Sequence, residues 1–128
     1  MKRRTPSRHA RLNSSSIASF CWKLKYRGFV LFQRTQAAAA LAAEKENPEG
    51  AIDEINAGLN KLRAFFAAYD LEDQFDENGM VQQLRKMESS LRQVHGIEAT
   101  LLEQLHQAVA NEEYETAARI RDALRRRQ

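Results

Sequence analysis

The stretch LLEQLHQAVANEEYETAARIRDAL, residues 101–124, reads as two helices with a reversal between them. Leu101, Leu105 and Ala108 recur at spacings of four and three, which places them on one helical face, and Asn111 interrupts the pattern. Glu112, Glu113 and Glu115 then open a second helix that Arg125, Arg126 and Arg127 close, so both ends carry the charge that opposes the helix dipole. Tyr114, Ala117, Ala118, Arg121 and Leu124 fall on one side of it, with Ile120 beside them. The two alanines let a partner helix approach closely while Tyr114 fills space at the turn. Glu115, Arg119, Asp122 and Arg126 alternate in sign at spacings of four, three and four, and are expected to form a salt-bridge ladder on the solvated face. A hairpin this short buries too little apolar surface to be stable alone, so the rest of the chain or a partner must cover its seam.

The run Tyr114-Glu115-Thr116-Ala117-Ala118-Arg119-Ile120-Arg121-Asp122-Ala123-Leu124, after an apolar helix and a short turn, resembles the UVR motif. The second helix of that motif reads aromatic-Glu-x-Ala-Ala-x-aliphatic-Arg-Asp-x-aliphatic. The motif takes its name from subunits B and C of the bacterial UvrABC excinuclease, and it also occurs in regulators of Clp-type ATPases and in adaptor partners of a protein arginine kinase. The resemblance implies a hairpin over residues 97–127 that serves protein–protein contact by packing against a similar hairpin. The residues expected to carry that contact are Leu101, Leu105, Ala108, Tyr114, Ala117, Ala118, Ile120, Arg121 and Leu124. The chain departs from the family where Arg125 and the residues after it replace a further apolar turn. It also has no GxxxxGK[ST] phosphate loop and nothing like a helicase core, a nuclease module or a zinc-binding cysteine set, so it is not the excinuclease itself.

Moving toward the N-terminus, Met80, Leu84, Met87, Leu91 and Val94 continue the same spacing into Leu101, Leu105 and Ala108 if Glu98 fills the missing position. This predicts a long coiled-coil-like helix over 80–108, or two helices in register, with Gly96 as the place for a bend. Residues 70–79 hold five acidic groups, no basic one and the turn dipeptide Asn78-Gly79, and read as an acidic linker. Before it, Asn47 as N-cap, Pro48 in the first turn and Glu49 at the positive dipole end mark the start of a helix over 48–69. Its apolar seam is Ile52, Ile55, Leu59, Leu62, Phe66 and Tyr69, widened by Phe65. A first helix over 17–45, with Phe20, Leu24, Leu31 and Ala38 on its apolar side and Gly28 as its weakest point, completes a helical hairpin over 17–69. The 80–94 seam has two candidate partners, the 52–69 seam of the same chain or another copy of itself.

Charge is distributed unevenly. Residues 1–34 carry nine basic and no acidic groups, 35–77 three basic and ten acidic, and 78–128 eight and seven. Residues 1–16 contain almost nothing apolar and read as a basic, disordered tail. An alternative function follows from this charge: a nucleic-acid-binding accessory protein acting through Lys2, Arg3, Arg4, Arg8, Arg11 and the run Arg125, Arg126 and Arg127. The same serine- and arginine-rich start also reads as an organellar transit peptide, against a default cytoplasmic location. No apolar run is long enough to span a membrane, because Lys23, Lys25, Arg27 and Arg34 interrupt the most apolar stretch, so the chain is expected to be soluble.

Cys21 is the only cysteine, leaving no internal disulfide and no multi-thiolate metal site. His9, His95 and His106 have no acidic or thiol partners at ligand or catalytic spacing. The sequence therefore predicts an all-α protein of four helices, a small helical bundle with a coiled-coil-like long helix and a C-terminal hairpin. It predicts no enzyme activity, no catalytic residue, no metal and no cofactor. The expected role is that of a helical interaction module or adaptor, tied through the resemblance to nucleotide excision repair or to control of a Clp-type ATPase or arginine kinase. Its expected partner is a helical protein or a second copy bound through the hairpin.

Overall fold

The computed structural model describes residues 14–127, which form helices α1 (Ser14–Glu44), α2 (Pro48–Ala68), α3 (Glu72–Phe75), α4 (Gly79–His95), α5 (Leu101–Ala110) and α6 (Tyr114–Arg127). Residues 1–13 of the expected tail lie outside this range, and residues 14–16 already belong to α1.

The chain turns between α1 and α2 at Asn47, whose side chain accepts the Gly50 N–H at 3.0 Å while Pro48 occupies the first turn. The two helices run antiparallel and meet closely at Thr35 and Gly58. A Cβ on Gly58 would lie 2.1 Å from Thr35 Oγ1, so only glycine permits this approach. Thr35 is buried there without an orphaned hydroxyl, because Oγ1 donates to the Leu31 carbonyl at 2.8 Å. This contact turns α1 so that Phe32, Thr35 and Ala39 point inward, about one residue round from the Leu31 and Ala38 side that periodicity suggested; the side chains of Phe20 and Leu24, expected on that side too, lie outside those described. Gly28 does not interrupt the helix; Met80 and Phe65 pack against its bare backbone.

On α2 the residues Ile52, Ile55, Leu59, Leu62 and Phe66 are buried, at the three-and-four spacing of a single apolar face. Helix α4, capped by Asn78 through the Met80 N–H at 2.9 Å, returns antiparallel to α2 and adds Val81 and Leu84 to the same core. The seam from Met80 to Leu91 thus closes within the chain, and Met87 also receives a hydrogen bond from Gln36 of α1.

Two expectations need correction. Residues 70–79 are not a plain linker: they contain α3, and Phe75 enters the core at 2 % exposure. Its ring meets Phe66 edge-on at 5.7 Å and lies under the Arg63 guanidinium at 4.5 Å. The acidic composition of the segment hid one strong apolar anchor. The coiled-coil-like helix over 80–108 is also absent. Gly96 adopts a left-handed conformation with φ +64°, and the Gly96 and Ile97 N–H groups both return to the Arg92 carbonyl. Helix α4 ends there, α5 begins anew at Thr100, and Val94, 74 % exposed, takes no part in a seam. The break and the additional α3 replace the four helices expected.

Candidate protein-interaction site

Helices α5 and α6 pack against each other as a hairpin, and the residues they bury are Ala108 and Ala117, at 3 % and 8 % exposure. Small side chains at these places let the two backbones come close. The turn between them closes with the Glu113 N–H on the Ala108 carbonyl at 2.8 Å and the Glu112 N–H on that of Val109 at 3.0 Å. Glu112, not Asn111, takes the left-handed conformation that ends α5, with φ 60°.

The start of α5 is a capping box. Thr100 Oγ1 accepts the Glu103 N–H at 3.1 Å, and Glu103 Oε1 accepts the Thr100 N–H at 2.9 Å. Both residues also reach out of the hairpin. Thr100, wholly buried, donates its hydroxyl to Asp53 Oδ1 at 2.7 Å. Glu103 Oε2 accepts from Asn56 Nδ2 at 2.8 Å and from the Arg92 guanidinium. Arg92 in turn holds Glu88 at 2.8 Å and the Glu98 carbonyl at 2.8 Å, which fixes the loop between α4 and α5. Glu49, in the first turn of α2, accepts the Leu101 N–H with one oxygen and Arg127 Nη1 at 3.0 Å with the other, and so clasps both ends of the hairpin.

Glu49, Asp53 and Asn56 fall at spacings of four and three, forming a polar stripe on α2 beside its apolar seam. Four carboxylates thereby share the junction with two guanidinium groups. Burial pushes the Asp53 carboxyl above its ordinary range despite the Thr100 hydrogen bond, and the negative charges of Glu49 and Glu103 add to the rise. Burial acts on Glu103 in the same direction, but hydrogen bonds from Arg92, the Thr100 N–H and Asn56 outweigh it and bring this carboxyl below its ordinary value. The hydrogen bond to Glu103 in turn raises Arg92 further.

The outward side of the hairpin is different. Tyr114 and Val109, on either side of the turn, are 63 % and 49 % exposed, and Arg121 is exposed two turns along α6 from Tyr114. Leu101, Leu105, Ala118, Ile120 and Leu124 are half-buried. Of the residues expected to make contact, Ala108 and Ala117 thus lie inside the hairpin, the others at its margin or outside. Val109 escaped the sequence reading because it stands one position off the Leu101–Leu105–Ala108 row. The junction escaped it too, although Thr100-x-x-Glu103 ahead of an apolar run is a legible capping-box signal.

The expected ladder of Glu115, Arg119, Asp122 and Arg126 does not form. Arg119 donates to Thr116 at 3.2 Å, Asp122 lies 3.8 Å from Arg121, and among the described residues Glu115 and Arg126 close no ion pair. Exposed pairs on a helix gain too little to hold two long side chains in one geometry. Arg127 is engaged with Glu49. Lys2, Arg3, Arg4, Arg8 and Arg11 lie outside the described residues, as does His9. His95 and His106 are exposed, and among the described residues no group of three or more His, Cys, Asp or Glu side chains could hold a metal ion. No helix among the described residues is long and apolar enough to cross a membrane.

Residues 99–126 match the UvrB/uvrC motif, and the match coincides with Thr100, α5, the turn and nearly all of α6. No curated protein and no solved structure matches the chain. The chain is thus a small all-helical protein carrying a UVR motif on a C-terminal helix pair.

Proposed function

We propose that the hairpin formed by α5 and α6 is the docking surface through which this chain engages a helical hairpin of another protein, and that the bundle of α1 to α4 is the scaffold that presents it. The observation that carries this reading is the division of the hairpin's surface. Its inner seam closes on Ala108 and Ala117, and its root is held by hydrogen bonds and ion pairs to α2 and α4. Val109 and Tyr114 remain exposed on the outside. An exposed aromatic beside aliphatic and arginine side chains has the composition of an interface anchor.

The docking residues in this reading are Leu105, Val109, Tyr114, Ala118 and Arg121, with Leu101, Ile120 and Leu124 at the margin and Ala108 and Ala117 keeping the hairpin's own shape. The resemblance to UVR proteins supports an adaptor role, in excision repair or in the control of a Clp-type ATPase or of an arginine kinase. The test is affinity capture with the wild-type chain and with Tyr114→Glu. The variant is expected to lose the bound partner while its circular dichroism and melting stay unchanged; equal capture by both would remove the hairpin from the docking role. Ala117→Asp suits this purpose less well, because a charge at a buried position breaks the hairpin itself.

A further inference from the structure

At the opposite end of the bundle, α1 extends beyond α2. The helices contain 31 and 21 residues, so at a rise of about 1.5 Å per residue α1 is longer by roughly 15 Å. Gly28 lies against Phe65 near the end of α2, so the residues preceding it on α1 run past their partner helix. Trp22, Tyr26 and Phe29 follow at spacings of four and three on one face and are 65 %, 56 % and 49 % exposed. The rings of Trp22 and Tyr26 stack at 5.5 Å. With Phe65, Leu71 and Met80 across from them, they line an apolar groove of about 550 Å³. A contiguous aromatic surface of this kind on a small protein marks a contact site.

The charges around the groove indicate what covers it. One wall, on α1, carries Lys25, with no acidic side chain on that helix before Glu44. The facing wall, formed by Leu71, Gln74 and Asn78, is flanked by Asp70, Asp73 and Glu77. Among the described residues none of these charges is ion-paired within the chain. A phosphate-bearing partner would suit the first wall and be repelled by the second. A second copy suits both. If a two-fold axis lies along the groove, the cationic wall of each copy faces the anionic wall of the other, and the aromatic rows meet between them, as an isologous contact requires.

We propose that this groove is a self-association surface, and that two copies of the chain pair through it with Lys25 of each set toward Asp73 of the other. The pairing is independent of the hairpin, which lies at the other end of α2, and it would present two hairpins on one assembly, so that a partner with two matching sites would be held by avidity.

Sedimentation of the full chain over a concentration series tests this, with the emission of Trp22, the only tryptophan, as a second reading. The wild type should show the mass of two chains, with Trp22 emission moving to shorter wavelength as the dimer forms. Lys25→Glu or Asp73→Lys alone should each weaken pairing by about tenfold or more, because like charges then face each other twice. Combining them in one chain exchanges the walls and should restore most of the affinity. Tyr114→Glu should leave the dimer intact, which separates this surface from the hairpin. The proposal is overturned by a wild type that stays monomeric, by single reversals that leave the dimer unaffected, by a double variant weaker than either single one, or by a dimer that Tyr114→Glu abolishes. A monomer whose Trp22 becomes more exposed when residues 1–13 are deleted would assign the groove to the chain's own tail. One whose emission shifts only with anionic lipid vesicles would assign it to a membrane surface. Either result overturns the pairing.

Discussion

Thr100 Oγ1 donates a hydrogen bond to Asp53 Oδ1 across 2.7 Å while accepting the Glu103 N–H at 3.1 Å, so one buried hydroxyl both starts α5 and fastens it to α2. The hairpin's local folding signal is therefore also its attachment to the scaffold. Thr100→Ala should remove both, at a cost of about 1–2 kcal/mol for the lost cap and the carboxylate left without its donor. Thr100→Ser should retain most of that stability. Hydrogen–deuterium exchange distinguishes attachment from global stability: α5 and α6 amides should exchange faster in Thr100→Ala relative to those of α2. Uniform acceleration over the whole chain would show that Thr100 does not hold the hairpin in particular.

Acid should act on the junction through two carboxyls that the fold shifts in opposite directions. Glu103, lowered in the folded chain, contributes stability that is complete above its unfolded pKa and is lost as pH falls through the folded value. Asp53, raised by burial, costs stability while ionised, and that cost is relieved as pH falls through its folded value. Urea unfolding from neutral pH downward should show Glu103→Gln less stable than wild type at neutrality, with a smaller loss on acidification. Asp53→Asn, which keeps an acceptor for Thr100, should be at least as stable as wild type at neutral pH and should lose stability more steeply in acid. A Glu103→Gln curve parallel to that of the wild type would refute the assignment.

The turn of the hairpin offers a stabilising change. Glu112 is held at φ 60°, a conformation that disfavours any residue with a Cβ. Glu112→Gly should raise stability by roughly 0.5–1 kcal/mol and leave partner capture unchanged. An increase in melting temperature reads the first effect; a decrease would mean that the glutamate side chain contributes more than its backbone strain costs.

Phe75 anchors the acidic segment to the core, with Phe66 at its edge and Arg63 over its face. Phe75→Ala should cost about 3–5 kcal/mol, as for a fully buried ring, whereas Val94→Ala, at a position 74 % exposed, should cost little. Denaturant midpoints of the two variants measure the contrast, and similar midpoints would contradict the placement of Phe75.

The elements read most directly from the residues are those whose signals were local. Asn47-Pro48-Glu49 announces α2, its apolar residues step at helical spacing, and the Tyr114–Asp122 pattern marks the hairpin. What misled the reading were patterns that are periodic but interrupted. The seam of 80–108 continues on paper through Glu98, yet Gly96 in a left-handed conformation followed by the Thr100 cap makes two helices of it. Similarly, five acids around Phe75 concealed a core residue. The junction was least legible, because Asp53, Asn56, Arg92 and Glu103 are ordinary surface residues on their own helices. They gain meaning only where the fold brings residues some fifty positions apart within 2.8 Å.

In the function proposed above, the outer side of the hairpin touches another protein. Placing a photoreactive benzoylphenylalanine at position 114, and separately at position 106 on the side of α5 that faces α2, tests it most directly. An ultraviolet-dependent cross-link is expected from position 114 to a helical segment of a second polypeptide, and none from position 106. Cross-links from position 114 that stay within the same chain, or equal yields from both positions, would contradict it.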